Sequence, residues 1–170
     1  MAQISNKGKD CGRAFKPESF TIEDPDSGLR VVRLTSHRCH SNHLYFTNPG
    51  WWNKGRDLLF VSERRNQPNL FSVNLDSHEI TQMTDLGMEP NLPQARRDPQ
   101  SGPSMQAGCL NPAKDLFFFN IDNAIWAVHL RTYEMNRVWK CPSGWRLSGI
   151  INATSDGRHI CTSALRKLRD

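Results

Sequence analysis

Two stretches of the chain carry the same strands and turns in the same order, and this repeat limits the fold more than any other feature. Asp57-Leu58-Leu59-Phe60 returns as Asp115-Leu116-Phe117-Phe118. Asn69-Leu70-Phe71-Ser72-Val73-Asn74-Leu75 returns as Ala124-Ile125-Trp126-Ala127-Val128-His129-Leu130. Glu79 and Ile80 are matched by Glu134 and Met135, and the offset stays between 55 and 58 residues. A third copy begins at Ile150, where Ser155-Asp156-Gly157-Arg158 matches the turns Asn53-Lys54-Gly55-Arg56 and Asn111-Pro112-Ala113-Lys114. Recurrence at one spacing is the mark of a unit that buries its faces against copies of itself.

The first copy, Asn42 to Thr84, reads as four short strands. His43 to Asn48 is apolar and aromatic and ends at Asn48-Pro49-Gly50; Asp57 to Ser62 is a buried-type strand. Asn69 to Leu75 and Glu79 to Thr84 alternate, with the turn Asp76-Ser77-His78 between them. Short alternating runs bounded by turn residues predict antiparallel sheet. Four strands in about 40 residues predict a β-propeller blade, so the expected fold is all-β with about two and a half blades. A closed propeller takes about four to eight blades. The chain is therefore expected to be part of a longer protein or to assemble with other copies.

The expected organisation is a loosely held segment over 1–19 and a partial propeller over 20–170. Within the propeller, 20–35 is an outer hairpin, 36–85 one blade, 104–140 a second, and 146–170 the start of a third. The 20–35 pair repeats the layout of 69–84: strand, Asp-rich turn, strand, closing Thr. Its inner strands are expected from a C-terminal partner segment. Leu86 to Met105, rich in Pro, Gly and polar residues, reads as a long blade-to-blade loop, and Asp122-Asn123 as a tight hairpin turn.

A net charge of +5 favours an anionic partner. Its basic runs are too short and too poor in stacking aromatics for nucleic acid. The five cysteines stand apart, with no CxxC pair, which argues against a disulfide framework or structural zinc and favours a reducing compartment. The start has no apolar signal region and no run is long enough to span a membrane, so a cytoplasmic location is expected.

In a propeller, blade links and the loops between second and third strands share the face around the channel mouth. That places there His37, His40, Asn42 and His43; Glu63, Arg64, Arg65 and Asn66; Arg96 and Arg97; and Arg146. His43, Arg64 and Arg65 are the candidate substrate-binding residues, because guanidinium pairs bidentately with carboxylate or phosphate. Along a strand, His37 and His43 face one side and His40 the other, which is poor spacing for a metal. No residue is assigned as catalytic or as a metal ligand, and no GxSxG, HExxH or Gly-rich phosphate loop occurs.

Asp24-Pro25-Asp26-Ser27-Gly28, Val32-Arg33-Leu34-Thr35 and His43-Leu44-Tyr45-Phe46-Thr47-Asn48-Pro49-Gly50-Trp51 resemble the N-terminal part of oligogalacturonide lyases, polysaccharide lyase family 22. Gly55-Arg56-Asp57-Leu58-Leu59-Phe60, Asn69-Leu70-Phe71 and Thr81-Gln82-Met83-Thr84-Asp85 continue the resemblance, which covers roughly 20–165 and fades after Thr84. It implies a seven-bladed propeller that cleaves short pectin-derived oligogalacturonides, especially unsaturated digalacturonate, by metal-assisted β-elimination. It also implies a divalent metal, typically manganese, with the catalytic His and Arg and the His/Gln ligands in later blades. No position here matches those motifs, so the chain alone is expected to hold no metal and to be inactive. The expected partners are an anionic oligogalacturonide and the remaining C-terminal blades, with no nucleic acid and no membrane. A TolB-like binding propeller without chemistry, and the propeller segment of a peptidase, are the alternatives.

Overall fold

The computed structural model describes residues 7–86, 97–98 and 102–166. Among them every regular element is a strand or a single 3-10 turn. In chain order the strands are β1 (Ala14–Phe15), β2 (Phe20–Glu23), β3 (Arg30–Arg33), β4 (Ser41–His43), β5 (Trp51–Trp52), β6 (Asp57–Ser62), β7 (Asn69–Asn74) and β8 (Ile80–Gln82). They continue as β9 (Arg97–Asp98), β10 (Gly102–Pro103), β11 (Cys109–Asn111), β12 (Leu116–Ile121), β13 (Ala124–His129), β14 (Met135–Lys140), β15 (Trp145–Ala153) and β16 (Ile160–Arg166).

The repeat units are antiparallel sheets. The first has the order β1-β8-β7-β6-β4, with β5 also on β6, and the second the order β11-β12-β13-β14. β2 with β3 and β15 with β16 are separate hairpins. The predicted pairs 57–62 with 69–74 and 116–121 with 124–129 form in full register. Asp122 and Asn123 take left-handed backbone (φ 52° and 58°), as a two-residue hairpin with matched strand twist demands. The hairpin likeness also holds in detail. Asp24 Oδ1 accepts hydrogen bonds from the Asp26 and Ser27 amides and the Ser27 hydroxyl, and Asn74 Oδ1 does the same for Asp76 and Ser77.

Three segments differ from their sequence expectation. The innermost strand of the first blade is not 43–48. It is split into β4 and β5, and Leu44 to Gly50 leaves the sheet between them. Its side groups and amides are taken by other elements: Leu44 enters the core, the Tyr45 amide donates to Gln106 O (2.8 Å), and Asn48 bridges two further segments. The third copy begins earlier than Ile150, with β15 starting at Trp145. Within 7–19, grouped with the loosely held N-terminal segment, β1 pairs with β8 (Ala14 with Thr81, Phe15 with Ile80) and so covers the outer edge of the first blade. Its one large apolar side chain, Phe15, lies edge-on to Phe71 at 6.0 Å. Of the long 86–105 loop, β9 and β10 form a small ladder and 104–107 a 3-10 turn; the rest lies outside the described residues.

The core follows the two-residue side-chain period of the strands. Leu59, Val61 and Leu70 face the second blade and pack with Phe117, Phe119 and Val128. Phe60 and Phe71, pointing the other way, form a cluster with Val73, Ile80, Phe15 and Leu34. Phe118, Ile125 and Ala127, on the far side of the second blade, pack with Leu147 and Ile151 of β15. Each sheet is thus apolar on both faces and stacks against the next, which is how blades are held. A fully buried Phe such as Phe117 contributes about 2–3 kcal/mol from removal of apolar area from water.

Candidate functional site

The arginines of the loop between β6 and β7 form the chemical centre of a cleft on the first blade. After β6 the chain makes a single 3-10 turn, Arg64–Asn66, in which Arg65 and Asn66 take left-handed φ values of 61° and 59°. Asn tolerates that region, whereas for Arg it costs on the order of 1 kcal/mol. The turn sends the two arginines to different places. Arg64 is only 5% exposed, whereas Arg65 is 51% exposed.

Arg64 is held from three sides. Its guanidinium lies 5.3 Å from the ring centres of both Phe15 and Phe71. Nη1 and Nη2 donate to the two carboxylate oxygens of Glu18 at 2.5 and 2.9 Å, a bidentate pair. Glu18 Oε2 also accepts the amides of Ser36 and His37, each at 3.1 Å. Burial raises the Glu18 carboxyl, but the Arg64 and amide hydrogen bonds outweigh it and hold the group below the ordinary glutamate value. Arg64 Nε is buried without a partner.

Arg65 pairs with Asp10, which also lies 3.6 Å from Arg13. The Arg65 hydrogen bond lowers the Asp10 carboxyl below the usual aspartate value. Arg13, His37, Arg64, Arg65 and Gln67, with Asp85 at one side, line an open cleft of about 160 Å³. Next to it the Cys11 thiol is pushed up to about 11, chiefly by burial, and is therefore a poor nucleophile.

His43 is not part of this cleft. It ends β4 and lines a separate groove with Leu34, Leu58, Phe60 and Val73. Its Nδ1 lies 3.1 Å from Leu44 O, and its Nε2 lies beside Gly50. A side chain at Gly50 would stand 2.8 Å from Leu59 O and 3.1 Å from that nitrogen. His37 joins the arginine cleft, whereas His40 is exposed and its carbonyl accepts the Glu63 amide at 3.0 Å. Arg146 is exposed on β15. Arg96 and the Arg97 side chain lie outside the described residues. Arg13, which lines the cleft, and Asp10 and Glu18, the counter-charges of Arg65 and Arg64, are the residues that sequence reasoning missed. Arg13-Ala14-Phe15 is a two-residue strand with one flanking charge, too short to register as a periodic pattern.

The stacked antiparallel sheets define a stretch of β-propeller-like structure. Its relatives are oligogalacturonate lyases, as the sequence resemblance implied. The chain is 29% identical over 154 residues to the oligogalacturonate lyase of Dickeya dadantii and 28% identical over 139 residues to the oligogalacturonide lyase of Pectobacterium atrosepticum. These alignments take in 88% and 80% of this chain but 34% and 32% of the relatives, so it spans about a third of their length. It superposes on an oligogalacturonate lyase solved in complex with manganese with a TM-score of 0.76 and 25% identity, covering 92% of this chain and 38% of that one. An oligogalacturonate lyase from Vibrio parahaemolyticus gives a TM-score of 0.75 at 20% identity, with the same shares covered, and shows the shared fold. No protein-family model matches the chain. Among the described residues, no three His, Cys, Asp or Glu side chains converge.

Proposed function

We propose that this chain is the N-terminal part of an oligogalacturonide lyase that cleaves short pectin-derived oligogalacturonides in the cytoplasm. The observation that carries the proposal is the superposition of 92% of the chain on a manganese-bound oligogalacturonate lyase. In the reaction a base takes the proton beside the uronate carboxylate. The bond to the β-oxygen then breaks, a carbon–carbon double bond forms, and the departing oxygen gains a proton. Charge builds on the carboxylate side as the proton leaves, so cations placed there lower the barrier. The base and the metal belong to the remaining blades.

This stretch supplies anion binding. Arg65, with Arg13 and His37, holds a uronate carboxylate of the oligomer. Arg64 stands behind them and, through Glu18, fixes the loop that presents Arg65. His43 offers its Nε2 to a sugar hydroxyl in its own groove. The free edge of β2 receives the inner strands of a last blade, which closes the ring.

The test is complementation. The chain is co-expressed with the C-terminal two-thirds of the Dickeya relative and assayed on unsaturated digalacturonate with manganese. Turnover by the complex and none by either part is the expected result. Arg65→Ala is expected to raise KM about tenfold, as loss of one charge-assisted contact does. A folded complex with no turnover would overturn the lyase reading, and an unchanged KM in Arg65→Ala would remove the cleft from the substrate path.

A further inference from the structure

A second cavity, of about 330 Å³, lies apart from the arginine cleft. It opens between the first and second blades, beside the turns that enter β6 and β8. Trp52, Met83, Leu130 and Tyr133 supply its apolar walls. Asp57, Ser72, Asn74, Glu79 and Thr81 supply hydrogen-bonding groups. Its volume is near the lower end of the ~300–1,000 Å³ typical of small-molecule sites, enough for one ring but not for a chain. Its described lining comes from the first blade and, through Leu130 and Tyr133, from the second.

Asp57 is the unusual group. It is only 8% exposed, yet among the described residues no cation pairs with it. Its Oδ2 accepts Asn53 Nδ2 at 2.5 Å and its Oδ1 accepts Asn74 Nδ2 at 2.9 Å. These two bonds tie the turns together and leave each oxygen a further lone pair. The matching aspartate of the second blade, Asp115, is instead paired with Arg131 at 2.6 Å. Glu79, exposed at the rim of the same cavity, adds a second acceptor.

The charges around the cavity select the ligand class. Lys7 already lies over the Tyr133 ring at 4.7 Å and Arg131 over the Trp52 ring at 5.7 Å, so a ligand cation would be repelled from both aromatic walls. A uronate or phosphate inside the cavity would face Asp57 and Glu79, the charged residues of its lining, whereas Lys7 and Arg131 stand outside that lining. An uncharged polyol meets neither obstacle. Its hydroxyls donate to the carboxylates and its ring carbons lie on the aromatic and aliphatic walls. We propose that the gap between the first two blades is a binding site for one neutral sugar ring, a hexose in its uncharged form, with Asp57 and Glu79 accepting its hydroxyls.

Saturation-transfer NMR and titration calorimetry on the full chain test this, with D-galactose and D-glucose as probes and D-galacturonate as the charged contrast. The expected result is saturable binding of at least one neutral hexose, with a Kd on the order of millimolar, and galacturonate at least about tenfold weaker. Asp57→Asn is expected to weaken binding about tenfold. Because Asp57 also holds two turns, Thr81→Trp is the second variant: it fills the cavity from a strand and, with an unchanged far-UV spectrum, is expected to abolish binding. No saturable binding of either neutral hexose overturns the proposal. So does galacturonate binding as tightly as they do, or a folded Thr81→Trp that binds as the parent does.

Discussion

At the scale of single residues, the Glu18–Arg64 pair is the most consequential contact of the N-terminal segment. Removing one partner leaves the other charge partly buried, which for full burial costs about 3–5 kcal/mol. Glu18 keeps 18% of its surface exposed, so Glu18→Gln is expected to cost about 2 kcal/mol, read by urea unfolding at neutral pH. The pH dependence has a definite sign. Glu18 is held below its ordinary value of 4.5, so the folded state binds its proton less tightly than the unfolded state. The stabilisation is full above about that value and is lost as pH falls through the lower folded value. Stability curves of the parent and Glu18→Gln should therefore converge in that acid window, and a constant gap down to the acid limit would contradict the pairing. A second residue prediction concerns Gly108. A Cβ there would sit 2.4 Å from Phe118 O and 2.6 Å from the Phe117 ring, one a backbone atom and the other wedged in the core. Gly108→Ala is expected to cost about 2–3 kcal/mol by calorimetry or urea unfolding, because the nearest atom cannot swing aside.

At the scale of elements, the strands written as alternating or apolar runs were legible. β6, β7, β12 and β13 lie where the repeat placed them, because local period and tertiary burial demand the same pattern. The split between β4 and β5 was not. The aromatic run from His43 to Asn48 has strand composition, but its polar groups are claimed from outside the sheet. Asn48 Nδ2 donates to Gly108 O and Ile151 O, both at 2.9 Å, so one buried side chain joins the start of the second blade to β15. Sequence shows the Asn48-Pro49 turn but not partners 60 and 103 residues away. The arginine cleft was half legible for the same reason: Arg64 and Arg65 stood out, while their counter-charges came from a segment without periodicity. Asn48→Ala leaves two buried carbonyls unpaired and is expected to cost about 2–3 kcal/mol. Hydrogen exchange should quicken in β11 and β15 more than in β7, and uniform quickening would mean that Asn48 does not act as a link between blades.

At the scale of the whole molecule, the two ends of the blade stack are alike. On the β2–β3 hairpin Phe20, Ile22, Leu29 and Val31 are exposed, and on the opposite side Val138, Trp139, Trp145 and Leu165 are exposed. The interior junctions carry the same residue types fully buried, so these surfaces have the composition of blade interfaces without a neighbouring blade. Among the described residues the hairpins β2–β3 and β15–β16 pair with no further strand. Apolar faces and unpaired backbone groups together favour association with any strand that fits. The chain by itself is therefore expected to self-associate as concentration rises, in light scattering and sedimentation, and to bind an apolar dye. Supplying the remaining two-thirds of a relative should suppress both effects and raise the unfolding midpoint, since a partner that binds only the folded state stabilises it by mass action. A chain that stays monomeric and dye-free at high concentration would mean that these faces are satisfied within the stretch itself. That outcome would remove the physical reason for expecting further blades.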